Sequence, residues 1–194
     1  MLKESKINSN FTLFEKRLKE SFGIDVDKLN EELPQLKEAS LAISKDSGCA
    51  YPGSLIDKTI SLVVLAKKIN SILPEEDKVN EESLIKVCML QHLSKAKTIV
   101  PNDNQWEIDK RGFLYKFNED NTVLKCGALS SYIALRCGAE FSDEELEAMT
   151  IIDRTSDDKQ ASLFASTLSV VVRQANELMY ITAKERVRNE SKSR

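Results

Sequence analysis

From Leu55 to Leu73 the chain is apolar on most sides, with Ile56, Ile60, Leu62, Val63, Val64, Leu65, Ile69 and Ile72, and this pattern predicts a core helix stopped by Pro74. A second apolar stretch, residues 81–98, carries Leu84, Val87, Cys88, Met89 and Leu90 ahead of one polar pair, Gln91-His92, and Leu93 and Ala96 behind it. Apolar positions recurring at three and four residues wrap widely around such a helix and place it inside the domain. Asn80, after the acidic link 74–82, is its expected N-cap. Two hydrogen-bonding side chains at its centre need partners, because a buried polar group left unpaired costs roughly 1–3 kcal/mol. Such a pair is either a metal or catalytic site or, more commonly, a satisfied structural pair.

The remaining pattern is also helical. Residues 1–10 read as a polar arm, followed by an amphipathic helix with Phe11, Leu13, Phe14, Leu18 and Phe22, ended by Gly23. A helix is expected from Asp27 to Ser44, with Leu29, Leu33, Leu36 and Leu41 on one side and a break or kink at Pro34, then a turn-rich loop over 44–54. Residues 99–120 lose the helical period and alternate around Arg111-Gly112, which predicts a loop or small β-hairpin packed over the helices. Leu124 to Cys137 is helical again, ended by Gly138, and Ser142 to Glu145 forms a capping box opening a helix with Leu146, Met149 and Ile152. The last helix is expected from about Asp158 to Lys184 or beyond, with Phe164, Leu168, Val171, Ala175 and Leu178 at helical spacing, and a charged end that frays in isolation. The expected architecture is all-α: a bundle of about six or seven helices with one small β-excursion near 99–120.

Composition narrows the function classes. The 194 residues fit one domain with a real core, 41% hydrophobic and 30% charged, and a net charge of -3 gives no sign of a nucleic-acid-binding surface. The polar N-terminus suggests no signal peptide and no apolar run is long enough to span a bilayer, so a cytoplasm is the expected location. Cys49, Cys88, Cys126 and Cys137 are widely spaced with no Cys-x-x-Cys pair, and Cys88 and Cys137 sit in apolar helical contexts as buried, reduced thiols. With a single histidine in the chain, a structural zinc site is not expected.

Five stretches together resemble the HD-domain phosphohydrolases of bacteria and their phages: YPGSL at 51–55, PEEDKVNEESLIKVCMLQHLSKAK at 74–97, KRGFLYKFNED at 110–120, LKCGALSSYIALRCGAEFSDEELEAM at 124–149 and SLFASTLSVVVRQANELMYI at 162–181. The resemblance divides the chain into an N-terminal arm and helices (1–38), an HD-like helical core (39–181) and a charged tail (182–194). In active members a cluster of histidines and aspartates holds one or two divalent metals, which make a water nucleophilic and clamp a phosphate oxygen. The resemblance places Lys58, preceded by Asp57, where the family has its first histidine, and Gln91-His92 at the name-giving His-Asp pair. His92 is thereby displaced by one position, about 100° around a helix. The accessory histidine falls on Cys126, followed by Gly127 and Ala128. A later one falls on Ile152 beside Asp153, and the acidic position of the last helix falls on Asn176 after Ala175. With all five ligand positions changed, no complete ligand set remains.

These changes imply an inactive HD-like domain kept for its shape, with no catalytic residue, metal or cofactor. Its partners would be proteins, in a homo-oligomer or hetero-assembly, with no direct nucleic-acid or membrane binding. The resemblance to phage-borne members places it in a bacterial host cytoplasm and extends to a subunit of a large particle such as a virion. Lys58, Gln91, His92, Cys126, Ile152 and Asn176 then line a vestigial pocket. Trp106 and Tyr115 are expected first to cover the core and second to anchor an interface, and Arg186 and Arg188, with the rest of the basic tail through Arg194, form a solvated end or a docking peptide. Two alternatives stay open. One is a residual metal site of Asp57, His92, Cys126 and Asp153. The other is a nucleotide- or phosphate-binding module that does not hydrolyse, with Lys58, Lys95, Lys97, Lys110 and Arg111 near the mouth.

Overall fold

Eight α-helices and a two-stranded hairpin make up the described residues, 2–120, 124–153 and 165–192, of the computed structural model. The helices are α1 (Glu4–Phe22), α2 (Val26–Glu32), α3 (Ser54–Ser71), α4 (Glu81–Leu90), α5 (Lys95–Thr98), α6 (Cys126–Arg136), α7 (Asp143–Thr150) and α8 (Thr167–Lys192). Strands β1 (Ile99–Pro101) and β2 (Tyr115–Phe117) pair antiparallel, with Ile99 opposite Phe117. The fold is all-α with a small β-hairpin, as the hydrophobic pattern predicts. Among the described residues no helix is long and apolar enough to cross a membrane.

The core is built on α3, which packs between α4 and α8, while α7 bridges α6 and α8 and α1 lies across α3. Leu62, Leu84, Val87, Leu90 and Val172 are fully enclosed there. Each such side chain contributes roughly 1.5–3 kcal/mol relative to exposure. Local signals set several boundaries where they were expected. Asn80 accepts from the Ser83 amide at 3.0 Å, and Gly23 takes a φ of 63° after α1. The capping box closes at both ends, Ser142 Oγ accepting from Glu145 N and Glu145 Oε2 from Ser142 N. Glu145 also meets Lys86 at 2.8 Å, tying α7 to α4.

Three expectations are corrected. The polar arm is not an arm: α1 begins at Glu4, because Ile7 packs against Gly53 and buried Asn10 donates to Asp57 at 3.2 Å. The helix expected through Ser44 ends at Glu32, ahead of Pro34, and gives way to a single tight turn over Leu36–Glu38 and irregular chain. Residues 81–98 form two helices rather than one. The Ser94 amide is taken by Ser130 Oγ at 2.9 Å while Ser94 Oγ donates to the Cys126 carbonyl at 2.9 Å, so the chain turns over 91–94 toward the start of α6. The last helix runs through Lys192, within the expected reach to Lys184 or beyond. The expected start of the last helix near Asp158, with Phe164, lies outside the described residues, as does Arg194.

The C-terminal half of α8 is seated on the turn before α3. Gly48, at φ 68°, approaches it so closely that an added Cβ would lie 2.4 Å from the Ala183 carbonyl oxygen and 3.2 Å from Val187 Cγ2. Gly48→Ala combines left-handed strain of about 1–2 kcal/mol with this clash. The expected outcome is faster amide exchange across residues 183–192 with the rest of the core protected; unchanged exchange there would show that the turn does not hold the helix end.

Candidate functional site

The break between α4 and α5 turns Gln91 and His92 toward α8, where both meet Asn176. Asn176 Nδ2 donates to Gln91 Oε1 at 2.7 Å, and Asn176 Oδ1 lies 2.9 Å from His92 Nε2. Because the Asn176 oxygen can only accept, His92 Nε2 carries the proton and Nδ1 is a bare lone pair. Among the described residues neither His92 Nδ1 nor the Gln91 amide nitrogen has a hydrogen-bond partner, although His92 is 3% exposed and Gln91 fully enclosed. Burial, reinforced by the nearby Lys95 charge and opposed by the Asn176 contact, pulls the imidazole down to about 3, so the ring is neutral at physiological pH.

A cavity of about 580 Å³ opens beside this relay, lined by His92, Lys95, Cys126, Arg173, Asn176 and Tyr180, with Ile151, Ile152 and Ile181 as an apolar side. Lys95 donates to the Leu41 carbonyl and to Tyr180 Oη, both at 3.0 Å. The Tyr180 ring stands edge-on to His92 at 6.3 Å. Burial pushes the Cys126 thiol up, against the lowering pull of Lys95 and of the Ser94 hydrogen bond. A neighbouring groove of about 540 Å³ shares Lys95, Cys126 and Tyr180 and is otherwise walled mostly by apolar side chains, including Leu41, Ile43, Ile99, Phe117 and Leu124, with Thr98 and Asn118 as polar members.

Of the six vestigial-pocket residues, His92, Cys126, Ile152 and Asn176 line the cavity, and Gln91 stands behind it at the end of the relay. Lys58 is not in the lining; its ammonium sits 5.7 Å from the Tyr51 ring centroid. Trp106 is 61% exposed at the head of the wide helical turn Glu107–Arg111 and covers no core, whereas Tyr115 is buried with Ala50 and Ile99 in a small second cluster. Arg186 and Arg188 are exposed on α8, Arg188 pairing with Glu185 at 3.6 Å. Arg173 lines the cavity as well. Together with Tyr180 it lies within one turn of Asn176, so this face of α8 was readable once Asn176 was placed.

The donor set does not fit the metals that the resemblance implies for active relatives. The carboxylate of Asp153 is occupied by the Gly127 and Ala128 amides, both at 2.9 Å, and serves as the N-terminal cap of α6. Asp57 accepts from Asn10 and, at 2.7 Å, from Tyr51 Oη. The only histidine is tied through Nε2 and faces an ammonium, and among the described residues no three His, Cys, Asp or Glu side chains come together as a metal cluster. Nor do the five basic residues gather at one mouth. Lys95 lines the cavity, Lys97 pairs with Glu32 at 3.7 Å, and Arg111 pairs with Glu107 on the hairpin side.

Fold and site together define an all-α domain with a small hairpin and an enclosed polar relay beside an open cavity. In comparisons with known proteins the chain matches no protein-family model, no curated protein and no solved structure.

Proposed function

We propose that this chain is a non-catalytic domain of the HD-like type that serves as a structural or assembly component and acts by binding protein partners. The observation that carries this reading is the relay itself. At the positions where the resemblance puts metal ligands, Gln91, Asn176 and His92 hydrogen-bond one another, with the Lys95 ammonium beside them. A divalent ion there would have to break these bonds and face a positive charge, whereas a scaffold gains a specified junction between α4 and α8 from them. The exposed apolar rim supports a protein partner: Phe117 is 68% and Leu124 50% exposed along the groove, and Ile181 is 58% exposed at the cavity. Such a rim has the chemistry that a partner surface covers. The assembly is either of this chain with itself or with other proteins, in a bacterial cytoplasm or a phage particle.

The test is mild purification of the tagged protein from its source, with mass and stoichiometry measured on what elutes. Recovery in a complex of fixed composition is expected, and Phe117→Asp combined with Leu124→Asp should release the protein from it without lowering the melting temperature. A lone protein that hydrolyses phosphate esters when manganese is supplied would overturn the reading.

A further inference from the structure

The hairpin has one open backbone edge. The bonds that flank its ladder, Asn118 N–H to the Thr98 carbonyl at 2.9 Å and Asn102 N–H to the Leu114 carbonyl at 3.1 Å, fix its alternation, so the backbone groups of Tyr115 and Phe117 point away from β1. On that outer side the Tyr115 N–H is taken by the Ile43 carbonyl at 3.2 Å. Two residues on, the opposing chain has left. Leu41 gives its amide to Ser54 Oγ and its carbonyl to the Lys95 ammonium, and among the described residues the Phe117 N–H and C=O have no hydrogen-bond partner. The outer edge of β1 is closed by contrast, since Pro101 has no N–H and the Ile99 N–H is spent on the Lys95 carbonyl. The groove of about 540 Å³ lies at the open edge, lined by Phe117 and by Leu41, Ala42 and Ile43. Lys95 stands in its wall, and the two groups that its ammonium bonds, the Leu41 carbonyl and Tyr180 Oη, both belong to lining residues, which places the charged end at the groove. Both partners are neutral, so one of three N–H donors is left over, and among the described residues neither the lining nor an ion pair supplies Lys95 with a carboxylate.

We propose that the groove receives an extended segment of a protein partner, which adds as a strand to the open edge of β2 and sets an acidic side chain on Lys95. Strand addition uses backbone bonds for affinity and pockets for alternate side chains for specificity, and both are present. The partner backbone bonds the N–H and C=O of Phe117. A glutamate on the inward face of the segment meets the third N–H of Lys95, a charge-assisted bond that offsets the cost of a half-buried ammonium with no counter-charge. The residues two before and two after it share that face and are apolar, because they lie on Ile43, Phe117 and Leu124. The inference rests on the assembly role proposed above and supplies its docking mode.

The experiment titrates isotope-labelled full-length protein with the peptide acetyl-Val-Thr-Glu-Thr-Val-amide, with the same peptide carrying glutamine for glutamate, and with decanoate, and reads the backbone amides of Tyr115 and Phe117. The glutamate peptide should move the Phe117 amide saturably in the direction of a new hydrogen bond and leave the already bonded Tyr115 amide in place, with the glutamine peptide weaker by about tenfold or more. Phe117→Pro and Phe117→Val both remove the ring, but only the first also removes the N–H, at an edge where the fold does not use it. Phe117→Pro should therefore bind the peptide about tenfold or more weakly than Phe117→Val. Lys95→Met should erase the preference for glutamate. An unmoved Phe117 amide, equal affinity for the two peptides, equal affinity after the two Phe117 substitutions, or binding of decanoate alone would each overturn the proposal. The assembly role is read separately. A complex recovered from the source that Phe117→Pro leaves intact overturns strand addition and keeps assembly, whereas peptide binding at Phe117 with no complex recovered overturns assembly and keeps the groove as a peptide site.

Discussion

Gly127→Ala is expected to destabilise the protein by about 2–3 kcal/mol, as overpacking of a close contact does. Gly127 lies in the first turn of α6, and a Cβ there would stand 2.3 Å from the Met149 carbonyl oxygen, 2.9 Å from Asp153 Oδ2 and 3.0 Å from Thr150 Cα. Two of those neighbours are backbone, so the methyl group can be accommodated only if α6 and α7 separate. That movement would loosen Leu129 and Ile133 on one side and Ala148 and Met149 on the other, all buried. It would also draw the Asp153 carboxylate off the amides it caps. In a helix free of such contacts the same change is favourable by up to about 1 kcal/mol. The sign therefore decides: denaturant unfolding should show a lower midpoint at unchanged slope, and a neutral or stabilising alanine would mean that the close approach does not exist.

The second large effect is a pH dependence that belongs to one residue. The folded-state pKa of His92 is lowered from 6.5 to about 3, by burial first and by the Lys95 charge next, against the raising effect of Asn176. Unfolded chains therefore take up a proton at this ring well before folded ones do. Stability from this source is complete above the unfolded value, declines as the pH falls below it, and stops declining only below the folded value. Between about pH 7 and about pH 5 the expected loss is about 2 kcal/mol, from a slope of about 1.4 kcal/mol per pH unit once the unfolded ring is titrating. The chain has no other histidine, so His92→Gln should lose most of this slope even though it starts from lower stability. A wild-type protein equally stable at both pH values, or one whose ring titrates near its ordinary value, would show that the relay is open to water.

What was legible in the sequence was what neighbours along the chain decide. Pro74, Gly23, Asn80 and the Ser142–Glu145 box act on backbone groups a few positions away, and the alternation through Tyr115 and Phe117 marks a strand regardless of what it packs on. The break at 91–94 was invisible because its cause lies elsewhere: no glycine or proline interrupts 81–98, and the competing hydroxyl and carbonyl come from Ser130 and Cys126, 36 and 32 positions away. Asp153 stood as a candidate ligand for the same reason, its carboxylate being taken by the amide of Gly127, 26 residues earlier in the first turn of α6. In the first turns of α1, a lone Ile7 among charged residues carries too weak a period to announce a helix. The contact of Asn176 with Gln91 and His92 came from the resemblance, not from periodicity, and the inward-facing Arg173 was concealed by its charge.

The relay also has a temporal side. Gln91 and His92 are synthesised 85 and 84 residues before the Asn176 that joins them, and that partner sits on α8. Until α8 docks, one flank of α3 is bare of its long apolar partner and the buried amide and imidazole have no counterpart, so the earlier helices cannot settle into their final arrangement on their own. A chain cut short before Asn176 should thus stay a substrate for chaperones and proteases rather than persist as a partial domain.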